Sequence, residues 1–421
     1  MRDSRRDSAK HSKAIGDWML RSGDLPLAIS TVGETMYREH YHQILVQISH
    51  RIRSLDISDM QIAQILFVAG LDAPLVEEVR FRVSRYWEDD VGQRAEVVTS
   101  TLFRGKNLRR VTLCASEVRS FVPTAPFMWD HLTNLSLVAG AANNGGLYYH
   151  IARRLLKGCP NLRSFKFAFE TEGSQDELFP TELLTLPNLE ALTIFIPHTD
   201  IFHVYKDFID LLFMPRLTSF HLVNESSKTS RTSPGEPLSD LVFLDRLADR
   251  SREIVNLTLD LLYFTGTTGV HLLQLFPGLQ TLHLIARETP SPSVFGWQWT
   301  MGRSKHDAIE LIKLLTPKGP EWLCPALTEF VLESGSNVTE FTDVIINFLQ
   351  MHLDSGTSFK LRRFNICCVR DPQPGGTGPD FQPFRNGGII INTAYTDPPK
   401  LAFGHSIFGS VPTSAFGGMP F

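Results

Sequence analysis

The chain has 421 residues, of which 43% are hydrophobic and 20% charged, with a formal net charge of -4. That composition excludes disorder of the whole chain, and the near-balanced charge excludes a bulk field of the kind that holds nucleic acid or an anionic membrane. Its five cysteines, an odd number without CxxC spacing, read as reduced thiols in a cytoplasmic or nuclear protein rather than as a disulfide framework or zinc site.

In chain order, MRDSRRDSAKHSK carries both signs of charge and is followed by no apolar h-region, so it is expected to be neither a signal peptide nor a membrane anchor. The next stretch, DWMLRSGDLPLAIS over Asp17–Ser30, predicts a helix around Trp18 and Leu20, a stop at Ser22-Gly23, and a strand carrying Leu27 and Ile29.

From there a loose repeat sets in. Leu, Ile, Val or Phe fill the pattern LxxLxL eleven times, beginning at Ile52, Val76, Leu108, Leu132, Leu162, Leu189, Leu217, Ile254, Leu279, Leu327 and Leu361. Successive starts are 24 to 48 residues apart. The last two anchors of each unit alternate as a half-buried strand requires. Between units the period becomes helical, as with Phe341, Val344, Ile345, Phe348 and Leu349. Five units are introduced by X-Pro-X-Leu, at Cys159–Leu162, Leu186–Leu189, Met214–Leu217, Phe276–Leu279 and Cys324–Leu327. Proline lacks an N–H and disfavours helical geometry in the residue before it, so the phrase ends a helix and starts a strand. A strand plus a helix is too small to bury its own face and is stabilised by stacking on its neighbours. The expected fold is therefore α/β: an irregular leucine-rich-repeat-like solenoid with parallel strands on the concave side and helices on the convex side. A doubly wound α/β domain is the competing reading, disfavoured by the lack of a Gly-rich turn after a strand.

Two inserts break the rhythm. NESSKTSRTSPGEP, over Asn224–Pro237, predicts a polar surface loop, and Glu288–Lys305 carries Phe295, Trp297 and Trp299 on a long loop. Those rings would either anchor a partner or fold back over the repeats. Beyond Val369, 9 Gly and 8 Pro in the last 51 residues predict irregular structure, although the IIIN run could add an edge strand. The expected organisation is a flexible tail over 1–14, the repeat region over 15–370, and a Gly/Pro-rich irregular tail over 371–421.

Trp18, Leu20, Arg21, Ser22, Gly23, Pro26, Leu27 and Ile29, followed by repeats with CPNL-like turns, resemble the W-L-x-R-S-G-x-x-P-L-x-[LI] segment and repeat half of mushroom-type fungal F-box proteins. The resemblance covers about residues 15–370 and implies a substrate-recognition part of an F-box-type subunit of an SCF ubiquitin ligase. In that family an F-box upstream of this tryptophan docks on a Skp-type adaptor and, through it, a cullin. MRDSRRDSAKHSKAIGD shows no three-helix apolar pattern, so the F-box is expected either upstream of this chain or missing. A self-standing interaction scaffold without a ligase link is the alternative, and an unrecognised α/β enzyme is a third reading.

No phosphate-binding GxxxxGK[ST], post-strand GxGxxG, HExxH or GxSxG occurs, so neither enzymatic activity nor a cofactor is expected. In a repeat of this kind the ligand face is built from residues alternating with the buried anchors. The candidates are Arg80, Arg82, Arg110 and Lys166, suited to an acidic or phosphorylated segment, with His221, Thr258 and His283. The two histidines fall two rungs apart, roughly 10 Å at about 4.8 Å per strand, which is too far to share one metal ion. A protein is the expected partner, with no nucleic acid and no membrane.

Overall fold

The structure is a computed structural model. It describes residues 14–18, 21–32, 39–60, 71–83, 102–115, 128–139, 147–168, 182–196, 202–224, 242–261, 264, 266–286, 290–293, 296–299, 303–317, 323–355, 361–369 and 379–396.

Thirteen strands form one sheet. They are β1 (Leu27–Val32), β2 (Ile52–Met60), β3 (Glu78–Val83), β4 (Arg110–Ala115), β5 (Asn134–Ala139) and β6 (Ser164–Ala168). They continue, after the two-residue β7 (Leu184–Thr185), with β8 (Ala191–Ile196) and, after the two-residue β9 (Leu212–Phe213), with β10 (Ser219–Asn224), β11 (Asn256–Asp260) and β12 (Thr281–Ala286). A hairpin of β13 (Pro290–Ser293) and β14 (Gly296–Trp299) intervenes before β15 (Glu329–Asn337), β16 (Arg363–Val369) and β17 (Ile390–Thr396). Every neighbouring pair of the large sheet is parallel, its strands lie in chain order, and it is not closed into a barrel. Chain order is the arrangement in which each unit stacks on the one before it. A doubly wound sheet reverses direction at a switch point instead.

Register follows the sequence anchors. One row crosses the sheet through Ile29, Leu55, Val79, Val111, Leu135, Phe165, Leu192, Phe220, Leu257, Leu282, Phe330, Phe364 and Ile391. The row two residues on runs from Thr31 through Ile57, Phe81, Leu113, Leu137, Phe167, Ile194, Leu222, Leu259, Leu284, Leu332 and Ile366 to Thr393. It is apolar except at its two ends, where an outermost rung has a neighbour on one side only and buries less.

The described helices pack on the side of these rows. They are α1 (Glu39–Ile48), α2 (Tyr149–Gly158), α3 (Phe202–Asp210), α4 (Val242–Arg250), α5 (Gly266–Leu275), α6 (Arg303–Leu315), α7 (Thr342–Asp354) and α8 (Gln382–Asn386). From α3 to α8 each helix packs against the next. Phe208 of α3 meets Phe167 edge-on at 5.3 Å between ring centres, and Phe348 of α7 meets Phe330 at 5.5 Å. Helix and strand side chains thus form one core, in which each fully buried Leu or Phe contributes about 1.5–3 kcal/mol. Gly269 of α5 permits a close approach of α6, since a Cβ there would lie 2.9 Å from Leu311 Cδ2.

The turns before the strands are alike. In each X-Pro-X-Leu phrase the leucine N–H donates to the first residue's carbonyl oxygen, as in Leu162 to Cys159 (3.2 Å) and Leu327 to Cys324 (3.0 Å). Ala73-Pro74-Leu75-Val76 makes a sixth such turn, with Val76 N–H on Ala73 O at 3.1 Å. Past each turn, one carbonyl of the preceding unit takes two donors. Arg109 O accepts from Thr133 and Asn134, Thr133 O from Arg163 and Ser164, and Arg163 O from Glu190 and Ala191. The matching position after the last anchor mostly lacks Asn, but an asparagine inside the turn bridges the units instead. Asn107 Nδ2 donates to Pro74 O (2.9 Å), Asn161 Nδ2 to Asp130 O (2.8 Å) and Asn188 Nδ2 to Pro160 O (3.1 Å).

At the first edge, Gly23 has φ +53°, a left-handed value suited to glycine, and ends the helical turn closed by Ser22 N–H on Trp18 O. Buried Arg51 ties this segment down, donating to Ser22 Oγ at 2.7 Å and to Leu25 O at 3.0 and 3.1 Å. At the other edge the IIIN run leads into an edge strand, as the sequence allowed, and a short helix precedes it within the tail otherwise expected to be irregular. Helix α8 and strand β17 occupy much of 379–396 and bury Phe381, Phe384, Ile389 and Ile391. The reason is local: Pro383 sits at the start of α8, where its missing N–H costs nothing, and Gly387 and Gly388 form the turn into β17. Residues 397–421 lie outside the described residues, as does the insert over Asn224–Pro237 apart from Asn224 itself.

Candidate protein-binding face

Because side chains alternate along a strand, the residues between the two inward rows lie on the sheet face opposite the helices. The middle row there runs Ser30, Asp56, Arg80, Thr112, Ser136, Lys166, Thr193, His221, Thr258, His283, Val331, Asn365 and Asn392. This outer face carries all seven residues singled out by the alternation, on β3, β4, β6, β10, β11 and β12.

Its first part is exposed and charged. Arg80 and Arg110 flank Glu78, at 2.6 and 3.0 Å, while Arg82 comes to 3.9 Å of Asp56. Glu78 is only 13% exposed, whereas the three arginine side chains are half exposed or more. Lys166 is exposed three strands further on. The floor between is small and polar: Thr112, Asn134, Ser136 and Ser164.

The central part is drier. Thr193 and Thr258 are buried, as are Asp260 and Ile285 further along the same face. His221 is half-buried and its Nδ1 lies 2.6 Å from Thr258 Oγ1. Burial, reinforced by the charges of Lys166 and His283, pushes its pKa down to about 4, so the ring is neutral at pH 7. Thr258 thus serves as a hydrogen-bond partner inside the face rather than as an exposed contact. His283 sits one strand beyond it, with Nε2 3.6 Å from Glu333. The histidines are separated by that threonine and do not converge, and no cluster able to hold a metal ion occurs among the described residues.

On the last strands the polar residues bind one another. Asn365 donates to Glu329 (2.9 Å), Asn392 donates to Asn365 (2.8 Å), and Arg363 lies 3.6 Å from Glu329. The aromatic insert forms the hairpin of β13 and β14, with Pro292 opposite Trp297 and Pro290 opposite Trp299. The side chains of Trp297 and Trp299, and Phe295 altogether, lie outside the described residues.

All five cysteines are free. Cys159, Cys324 and Cys368 are buried, and burial pushes each thiol up to about 12, which suits packing rather than reactivity. Cys114 and Cys367 are half-buried on the outer face.

No helix among the described residues is long and apolar enough to cross a membrane. No protein-family model matches the chain, and no curated protein matches it.

Proposed function

We propose that this chain is a leucine-rich-repeat-like solenoid, strands concave and helices convex, whose open sheet face binds another protein. The observation that carries the reading is the outer face itself: thirteen parallel strands in chain order present rows of polar side chains in register, opposite the face on which the described helices pack. Solenoids use such extended surfaces for binding. The work done is positional, and no group of the chain is assigned a chemical step.

The family resemblance at Trp18–Ile29 supports a narrower version. In it the face is the substrate-recognition part of an F-box-type subunit of an SCF ubiquitin ligase, cytoplasmic or nuclear, with a Skp-type adaptor and cullin engaged through an F-box upstream. The self-standing scaffold shares the same face and lacks that link.

Affinity capture of the full chain beside a variant carrying Ser136→Trp and Ser164→Trp tests both versions. A protein that co-purifies with the wild type and is lost from the variant supports the face. A partner retained by the variant contradicts it. A Skp-type adaptor and cullin captured with the product of the complete transcript mark the ligase version, and their absence marks the scaffold.

A further inference from the structure

Resting on that reading, we infer that the first half of the outer face is a docking site for an extended acidic segment of a partner protein, its two anionic residues about four positions apart. The argument is one of charge and spacing. Among the described residues of this part of the face, Arg80, Arg82, Arg110 and Lys166 stand against two carboxylates, Glu78 and Asp56, which leaves two cations in excess. Glu78 is shared between Arg80 and Arg110, and Arg82 stands 3.9 Å from Asp56, beyond a hydrogen bond. The guanidinium of Arg82 is therefore paired with Asp56 without a direct hydrogen bond, and its donors suit an incoming carboxylate.

The two ends of the patch are far apart. Three strand steps separate β3 from β6, or roughly 14 Å at about 4.8 Å each. One anion cannot touch both, but an extended peptide advancing about 3.3 Å per residue covers the gap in about four residues. Its backbone would lie over Thr112, Ser136 and Asn134, whose hydroxyls and amide can bond peptide groups. Nucleic acid fits less well, because the described outer-face residues of β3–β6 include no aromatic ring on which a base would stack. The far end of the face is already satisfied internally, since Glu329 takes Asn365 and Arg363.

The test selects binders from a random linear peptide display library on the full-length protein, and in parallel on the Arg82→Glu/Lys166→Glu and Ser136→Trp/Ser164→Trp variants. The expected result is enrichment of Asp or Glu pairs about four apart on the wild type, at least tenfold weaker binding of those peptides to the charge-reversed variant, and loss from the tryptophan variant. Peptides lost from the tryptophan variant but held equally by the charge-reversed one would overturn the acidic-segment inference and leave the binding face standing. Peptides held equally by all three proteins, or no enrichment at all, would count against both. Single-stranded RNA binding as tightly as the selected peptides would also overturn it. Both charge-reversed positions are exposed, so a melting temperature within a few degrees of wild type establishes that the comparison is between folded proteins.

Discussion

Asn188 donates from Nδ2 to the carbonyl oxygen of Pro160 at 3.1 Å, and Asn161 makes the corresponding bond to Asp130 one unit earlier. Each bond ties the turn of one unit to the turn of the unit before. If these bonds hold the stack in register, Asn161→Ala and Asn188→Ala should each cost about 0.5–1.5 kcal/mol. Urea denaturation measures this, and a similar loss from Asn347→Ala, an exposed helical position, would show that the bridge contributes nothing.

The register predicts opposite outcomes at adjacent residues. Leu135 is buried in the inward row and Ser136 lies on the outer face. Leu135→Ala should cost about 2–5 kcal/mol, whereas Ser136→Ala should stay within about 0.5 kcal/mol. Equal costs by thermal or urea unfolding would mean that the strand is turned over.

Helix contact at Gly269 sets a third expectation. A Cβ there meets the buried Leu311 at 2.9 Å, so Gly269→Val should destabilise by about 1–3 kcal/mol through overpacking. A Cβ added at Gly278 would meet no described atom within 4 Å, and Gly278→Ala should be close to neutral in the same calorimetric comparison.

The acid limb of stability should report buried histidine. Burial pushes the His352 pKa down to about 3, against Phe348 at 4.1 Å, and that of His221 to about 4. An unfolded histidine titrates near 6.5, so between pH 6.5 and the folded values the unfolded chain binds more protons and stability falls as pH falls. Stability is undiminished by these groups above pH 6.5, and His352 should remove on the order of 3 kcal/mol by pH 4. His352→Leu should flatten the fall of the urea midpoint between pH 6.5 and 4. An unchanged slope would place the charge elsewhere.

The eleven units read from the sequence coincide with eleven strands because the second and third anchors of each are the residues that a parallel register must align. The alternation also named the outer-face residues, but it carries no information about what covers a face, so the burial of Thr193, Thr258 and Asp260 was not legible. The asparagine bridge was legible in principle, since Asn107, Asn161 and Asn188 each stand one residue before an anchor leucine. Strand β17 was legible in the IIIN run, whereas helix α8 was obscured by averaging composition over a Gly/Pro-rich tail, where a five-residue turn of helix is diluted. Arg51 was hidden for a different reason: a cation reads as surface in sequence, and only the folded chain brings Ser22 and Leu25 around it.

Everything turns on the units stacking in chain order, and pulsed electron–electron distances between spin labels on the outer face measure that directly. With labels replacing Arg80 and Lys166, three strand steps apart, the Cα separation should be roughly 14 Å, and with Arg80 and Arg363, nine steps apart, it should be far longer, up to about 43 Å along the sheet. Cys114 and Cys367 are replaced by serine so that only the introduced positions carry labels. A distance from Arg80 to Arg363 shorter than that to Lys166 would contradict the stack, and with it the binding face.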